Sequence, residues 1–232
     1  MTTDSVQLPR RNIELKARNP ALEASLEACR ALGAEDHGEI VQRDTYFEVA
    51  RGGLKLREEH PGHPHLIQFE RASEPQQRES RYRIIEVDDA GAVLAALTAA
   101  LGVRVMVAKR RRLFLWRNVR IHLDRVEGLG AFIELEAVAP ADSDLTHERE
   151  LVVLLRNALG VTDERLVGVG YAELLLSPTA SCAAAKNESR ERVDCALSEF
   201  DEANWASRAG GIGCPGVFAA PATFARWLSI AR

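Results

Sequence analysis

The chain has four cysteines in 232 residues, Cys29, Cys182, Cys195 and Cys214, and none forms a CxxC pair or another zinc-ligand spacing. A structural metal cluster is therefore not expected, and the cysteines read as reduced thiols. Positive charge is not in excess either, since 30 Lys and Arg face 34 Asp and Glu for a formal net charge of -4. Bulk attraction to nucleic acid needs the opposite balance, so any anion must be bound by a local concentration of cations. Long apolar runs are missing too. No stretch approaches the roughly 20 apolar residues of a membrane span, and MTTDSVQLPR has no apolar core of a targeting signal. The expectation is a cytoplasmic protein with neither membrane nor nucleic acid as partner.

What the chain does contain is charge at every second residue. Glu14 and Lys16, Lys55 and Arg57, Arg81 and Arg83, Lys109 and Arg111, Arg120 with His122 and Asp124, and Glu134 with Glu136 all sit at i, i+2. On a strand each set shares one side. The intervening positions are largely apolar, as in Leu54/Leu56, Val119/Ile121/Leu123 and Ile133/Leu135. Strands of this kind fit a barrel whose exterior is covered by other elements and whose interior is polar.

Strand signals fall at residues 11–18, 42–49, 53–59, 65–71, 81–87, 105–115, 118–125 and 131–138. Gly52-Gly53, Arg117-Asn118 and Glu127-Gly128-Leu129-Gly130 supply hairpin turns, so antiparallel neighbours are the simplest topology. Three helical runs interrupt the strands. One opens at Asn19-Pro20, with Asn19 expected as the N-cap, and carries Leu22, Leu26 and Leu32 to a stop at Gly33. A second is capped by Asp89 and presents Val93, Leu94, Leu97 and Leu101. The third begins near Ser143-Asp144 and aligns Leu151, Leu154, Leu155 and Leu159 before Gly160. The fold class is α+β, a closed eight-stranded antiparallel barrel flanked by amphipathic helices that cover its outer wall. Residues 10–177 form this domain. Residues 178–232, rich in small and polar residues with short helical stretches at 194–207 and 224–230, read as a tail or weakly structured appendage.

The interior poses an electrostatic problem that points to function. Cations converging inside one barrel repel one another and lose hydration, so the cavity must stay wet or bind a polyanion. A triphosphate satisfies that need, and clustered carboxylates would hold its divalent cation. Ordinary readings stand beside this one. A Glu-x-Glu is usually a solvated face, but FIELEAV alternates with residues ready for burial. His122 reads as a structural group or a support to the site, Tyr46, Tyr82 and Tyr171 as core or rim residues, and His60-Pro-Gly-His-Pro-His65 as a hairpin loop.

The segments Asn12-Ile13-Glu14-Leu15-Lys16, Gln42-Arg43-Asp44-Thr45-Tyr46-Phe47, Leu54-Lys55-Leu56-Arg57-Glu58, Lys109-Arg110-Arg111, Val119 to Asp124 and Gly130 to Glu136 together resemble the CYTH superfamily of triphosphate tunnel metalloenzymes, in particular its class IV adenylate cyclase-like branch. The resemblance implies a tunnel that binds a triphosphate-containing small molecule, such as ATP or tripolyphosphate, with Mg²⁺ or Mn²⁺. It implies Glu14, Asp124, Glu134 and Glu136 as metal ligands, and Lys16, Lys55, Arg57, Arg71, Arg83, Lys109, Arg111 and Arg120 as phosphate contacts. Lys109 and Asp124 take catalytic roles in this reading. Asn12 departs from the family's ExExK hallmark, offering a neutral carbonyl oxygen where a carboxylate is usual. Three activities stay open: hydrolysis of an inorganic or organic triphosphate, cyclisation of ATP to cyclic AMP and pyrophosphate, and passive binding of polyphosphate or nucleotide. The oligomeric state is open as well, with a homodimer among the candidates.

Overall fold

The computed structural model describes residues 9–71 and 77–177. Its elements run β1 (Arg10–Arg18), α1 (Leu22–Ala31), β2 (Glu35–Phe47), β3 (Gly53–His60), β4 (His65–Arg71), β5 (Arg78–Glu86), α2 (Ala90–Leu101), β6 (Val103–Trp116), β7 (Val119–Val126), β8 (Gly130–Ala139), α3 (Thr146–Ala158) and α4 (Tyr171–Leu176), with a 3-10 turn at Asp163–Arg165. The strands close into a barrel in the order β1-β5-β4-β3-β2-β6-β7-β8, and every pairing is antiparallel. Closure removes exposed strand edges, and alternation then sends each strand's side chains in two directions. The tail assigned to residues 178–232, with Cys182, Cys195, Cys214 and its two helical stretches, lies outside the described residues.

The apolar core is on the outer wall. Ile13, Leu15 and Ala17 of β1, Ile121 and Leu123 of β7, and Ile133, Leu135 and Ala137 of β8 pack against Leu151, Val152 and Leu155 of α3 and Cys29 of α1. Leu22, Leu26 and Leu32 add a partly buried face. Burial pushes the free Cys29 thiol up to about 11, which keeps it protonated and inert. A smaller cluster closes one end of the barrel, where Tyr171 and Ala172 of α4 pack on Val107, Val126 and Phe132.

Four details depart from the sequence expectation. Asn19 does not cap α1. Its backbone N–H donates to Ala131 O at 2.9 Å and its Oδ1 accepts from Ser25 Oγ at 3.2 Å, so it ends β1 while Ala21 holds the cap position without a side-chain bond. Strand pairing with β8 claims this residue before the helix can. Leu154 is exposed, because the buried stripe of α3 runs through Leu151, Val152 and Leu155. Helix α2 is capped by Asp89, which accepts from Ala92 N at 2.9 Å, yet it buries no residue and so covers little of the wall. Finally, β2 begins at Glu35, well before its sequence signal. Its first half is polar and irregular, with a register shift between Asp36 and Glu39 around Gly38 at φ +83°.

Candidate active site

Register decides which charges share the lumen. Lys16 lies opposite Glu134, Glu14 opposite Glu136 and Arg78, His122 opposite Glu134, Arg111 opposite Asp124, and Arg120 opposite Glu136. Asn12, Glu14, Lys16, Asp44, Lys55, Arg78, Lys109, Arg111, His122, Asp124 and Glu134 are all buried. The basic run at residues 109–112 splits by parity. Lys109 and Arg111 turn inward, while Arg110 and Arg112 bond Glu39 and Asp36 on the outside.

Two acid-centred knots organise the interior. Asp44, fully buried, accepts from Lys55 Nζ at 2.9 Å, from Lys109 Nζ at 2.9 Å and from both Arg57 Nε and Nη2 at 2.7 and 2.8 Å. Burial alone would raise its carboxyl, but Arg57, Lys109 and Lys55 outweigh burial and hold it well below the carboxylate range. The cations bear the converse strain. Burial brings Lys109 down to about 8, against the opposing attraction of Asp44. Burial and the neighbouring Arg57 likewise drive Lys55 well down.

The second knot joins Asp124, Glu134 and Arg111. Arg111 holds Asp124 through Nε and Nη2 at 2.7 and 2.6 Å, and the same Nη2 reaches Glu134 Oε2 at 2.8 Å. Tyr171 donates its hydroxyl to Asp124 Oδ2 at 2.7 Å, and its ring lies 4.0 Å from Lys16 Nζ. Lys16 ion-pairs with Glu134. Despite burial, Arg111 lowers the Asp124 carboxyl and Lys16 lowers that of Glu134, so both stay ionised.

Around the lumen, Glu14 accepts from Arg78 at 2.7 Å with Arg71 at 3.4 Å, and Arg120 stands 3.6 Å from Glu136. Arg71 and Arg78 also line a cavity of about 200 Å³ with Tyr46, Phe69, Gly170 and Glu173. Phe69 lies across from Gly53, where a Cβ would come within 2.1 Å of its ring. Only glycine lets that ring lie over the strand. Arg83 does not join this set. It is exposed and bonds Gln68, because Arg78, Ser80 and Tyr82 are the buried positions of β5.

A cation site fits the donors present. One ligand atom from each of His122, Glu134 and Glu136 lies within 4.8 Å of the others. Asn12 Oδ1 and His122 Nδ1 are buried acceptors or donors without a hydrogen-bond partner among the described residues. Burial and Arg111 lower the His122 imidazole, favouring its neutral form. Sequence reading gave no site role to Asp44 or Arg78, and it read Tyr171 as a core or rim residue, which its burial against Phe132 bears out without showing its bond to Asp124. The alternation of Gln42, Asp44 and Tyr46 carried a signal for Asp44, whereas Arg78 and Tyr171 are revealed by pairing across the barrel and by α4.

The CYTH domain family matches residues 10–171. The chain belongs to the CYTH family. PH1012 from Pyrococcus horikoshii OT3 is 26% identical with a TM-score of 0.65, the match covering 70% of this chain and 98% of that one. A conserved hypothetical protein from Pyrococcus furiosus is 23% identical at TM-score 0.63, covering 70% and 99%. A Vibrio parahaemolyticus protein named a "putative adenylate cyclase" is 20% identical at TM-score 0.59, covering 72% and 98%. No curated protein matches the chain in sequence. Among the described residues no helix is long and apolar enough to cross a membrane.

Proposed function

We propose that this CYTH protein is a divalent-metal-dependent enzyme that acts on triphosphate compounds, by hydrolysis or by cyclisation of ATP. The observation that carries the reading is the ring of cations on the inner face of a closed barrel: buried Lys16, Lys55, Arg78, Lys109 and Arg111, with half-buried Arg57 and Arg71. Concentrating them costs desolvation and mutual repulsion, which the internal carboxylates only partly offset. A polyanion with several phosphoryl groups supplies the missing counter-charge along the tunnel. A monophosphate reaches only a few of these side chains.

Phosphoryl chemistry rests mainly on positioning and on stabilising charge, and the chain's groups suit both. Lys55, Arg57 and Lys109 exchange Asp44 for phosphate oxygens. Arg111, oriented by the two oxygens of Asp124, presents a fixed fork to the developing charge. Asp124, which the resemblance implies as a metal ligand and catalytic group, acts in this reading by positioning Arg111 and Tyr171, because its two oxygens accept their hydrogen bonds. Glu134 and Glu136, with Glu14 and the Asn12 carbonyl beside them, would hold the Mg²⁺ or Mn²⁺. When bound, that ion polarises phosphoryl oxygens and neutralises their charge. The cavity between Tyr46, Phe69 and Arg71 offers room for an organic group esterified to the α-phosphate, which keeps ATP among the substrates. Incubating the protein with ATP and with tripolyphosphate, each with Mg²⁺ or Mn²⁺, and resolving the products tests the reading. Orthophosphate marks hydrolysis, cyclic AMP with pyrophosphate marks cyclisation, and tight binding without products overturns the enzymatic assignment.

A further inference from the structure

We infer that His122 is a nitrogen ligand of the divalent cation, completing a two-carboxylate, one-imidazole set with Glu134 and Glu136. The inference rests on the reading that the tunnel holds such an ion. Three observations carry it. The ligand atoms of the three residues lie within 4.8 Å of one another on the inner faces of β7 and β8, where His122 stands directly across from Glu134. The His122 side chain is only 6% exposed, and among the described residues its Nδ1 has no well-formed hydrogen bond, its contact with Glu134 Oε2 being stretched to 3.5 Å. A buried imidazole nitrogen held to a carboxylate only by so long a contact is poorly satisfied, and a shared cation removes that cost.

Distance and valence both allow the assignment. An ion with bonds of about 2.1 Å sets adjacent ligands roughly 3.0 Å apart and opposite ones about 4.2 Å apart. Small side-chain rotations therefore close the cluster. Glu134 already accepts from Lys16 on one oxygen and Arg111 on the other. A carboxylate has about four lone-pair directions, so these contacts leave room for a metal bond. Leu113 faces His122 from β6 and supplies no competing polar group.

The consequence is metal choice. Carboxylate and water suit Mg²⁺ and Mn²⁺ alike, whereas an imidazole nitrogen favours the first-row transition ions. With His122 in place the site binds Mn²⁺ in preference to Mg²⁺, and Co²⁺ more tightly than Mn²⁺.

Pulsed EPR on the whole chain loaded with one equivalent of Mn²⁺ tests this directly. The wild-type protein is expected to show a nitrogen coupling that changes when histidine is labelled with ¹⁵N and that disappears in His122→Gln. In titrations His122→Gln is expected to lose at least about tenfold in Mn²⁺ affinity with much less effect on Mg²⁺. The label exchange is read on unaltered protein, so it stands even if the variant folds poorly. Bound Mn²⁺ with no histidine coupling overturns the inference and leaves an oxygen-only metal site. Failure of the wild-type protein to bind Mn²⁺ overturns the metal reading beneath it.

Discussion

Asp44 shows how one buried carboxylate can serve three cations. Because Lys55, Arg57 and Lys109 all donate to it, removing its charge leaves them uncompensated in a space water barely reaches. Breaking a buried pair typically costs about 3–5 kcal/mol. Asp44→Asn is therefore expected to lose stability of that order in urea unfolding, with tripolyphosphate restoring part of it by replacing the lost counter-charge. Lys109 adds a pH dependence. Its folded pKa of about 8 lies below the ordinary 10.5, so between these values the unfolded chain binds a proton that the folded one releases. This group's contribution to stability thus rises with pH across that window and is lost on descending through it. Phosphate binding runs the other way. Tripolyphosphate affinity, measured from pH 7 to 9, should fall as the pH passes about 8, and Lys109→Arg should flatten that fall because guanidinium stays charged. Lys109→Ala should weaken triphosphate binding more than that of orthophosphate.

At the scale of elements, the helices divide by what they bury. Helix α3 places Leu151, Val152 and Leu155 in the core over β1 and β8, whereas α2 buries nothing against β2 and β3. Leu155→Ala should cost about 2–5 kcal/mol in denaturant unfolding, and Leu94→Ala in α2 less than about 1 kcal/mol. The short α4 has a different task. It inserts Tyr171 edge-on to Phe132, with ring centroids 5.0 Å apart, and delivers a hydroxyl to Asp124. Strand signals marked all eight strands, and six of them carried charge at every second residue, the trace that a barrel with a polar inside leaves, although in β5 that charge, Arg81 and Arg83, lies on the outer face. The first half of β2 was not legible, because Glu35 to Glu39 is polar throughout and bulged. Nor was α4, a helix of six residues held by its packing on the barrel end.

For the molecule as a whole, the barrel encloses ion-paired cations in excess of its carboxylates, and the proposed function assigns that excess to a polyanionic ligand. Any ligand that binds only the folded form stabilises it by mass action, about 2.7 kcal/mol at a hundredfold excess over Kd. The expected order of thermal stabilisation is tripolyphosphate above pyrophosphate above orthophosphate at equal concentration. Equal shifts for all three would argue against a tunnel that engages several phosphoryl groups at once.

The sequence alone determined that strands of this chain have one charged and one oily face, and that their order and spacing match the CYTH pattern, because side-chain alternation is a local property of extended backbone. It could not settle phase where both faces carry arginine. In β5, Arg81 and Arg83 are equivalent to Arg78 by composition, and only pairing with β1, which sets Glu14 against Arg78, turns one inward and the others out. Tertiary structure likewise decided that Asp44 sits among three cations, that Tyr171 closes on Asp124, and that His122 meets Glu134 and Glu136. These contacts join residues far apart in the chain, and a barrel brings them together through strand register, a relation between strands that no single segment encodes.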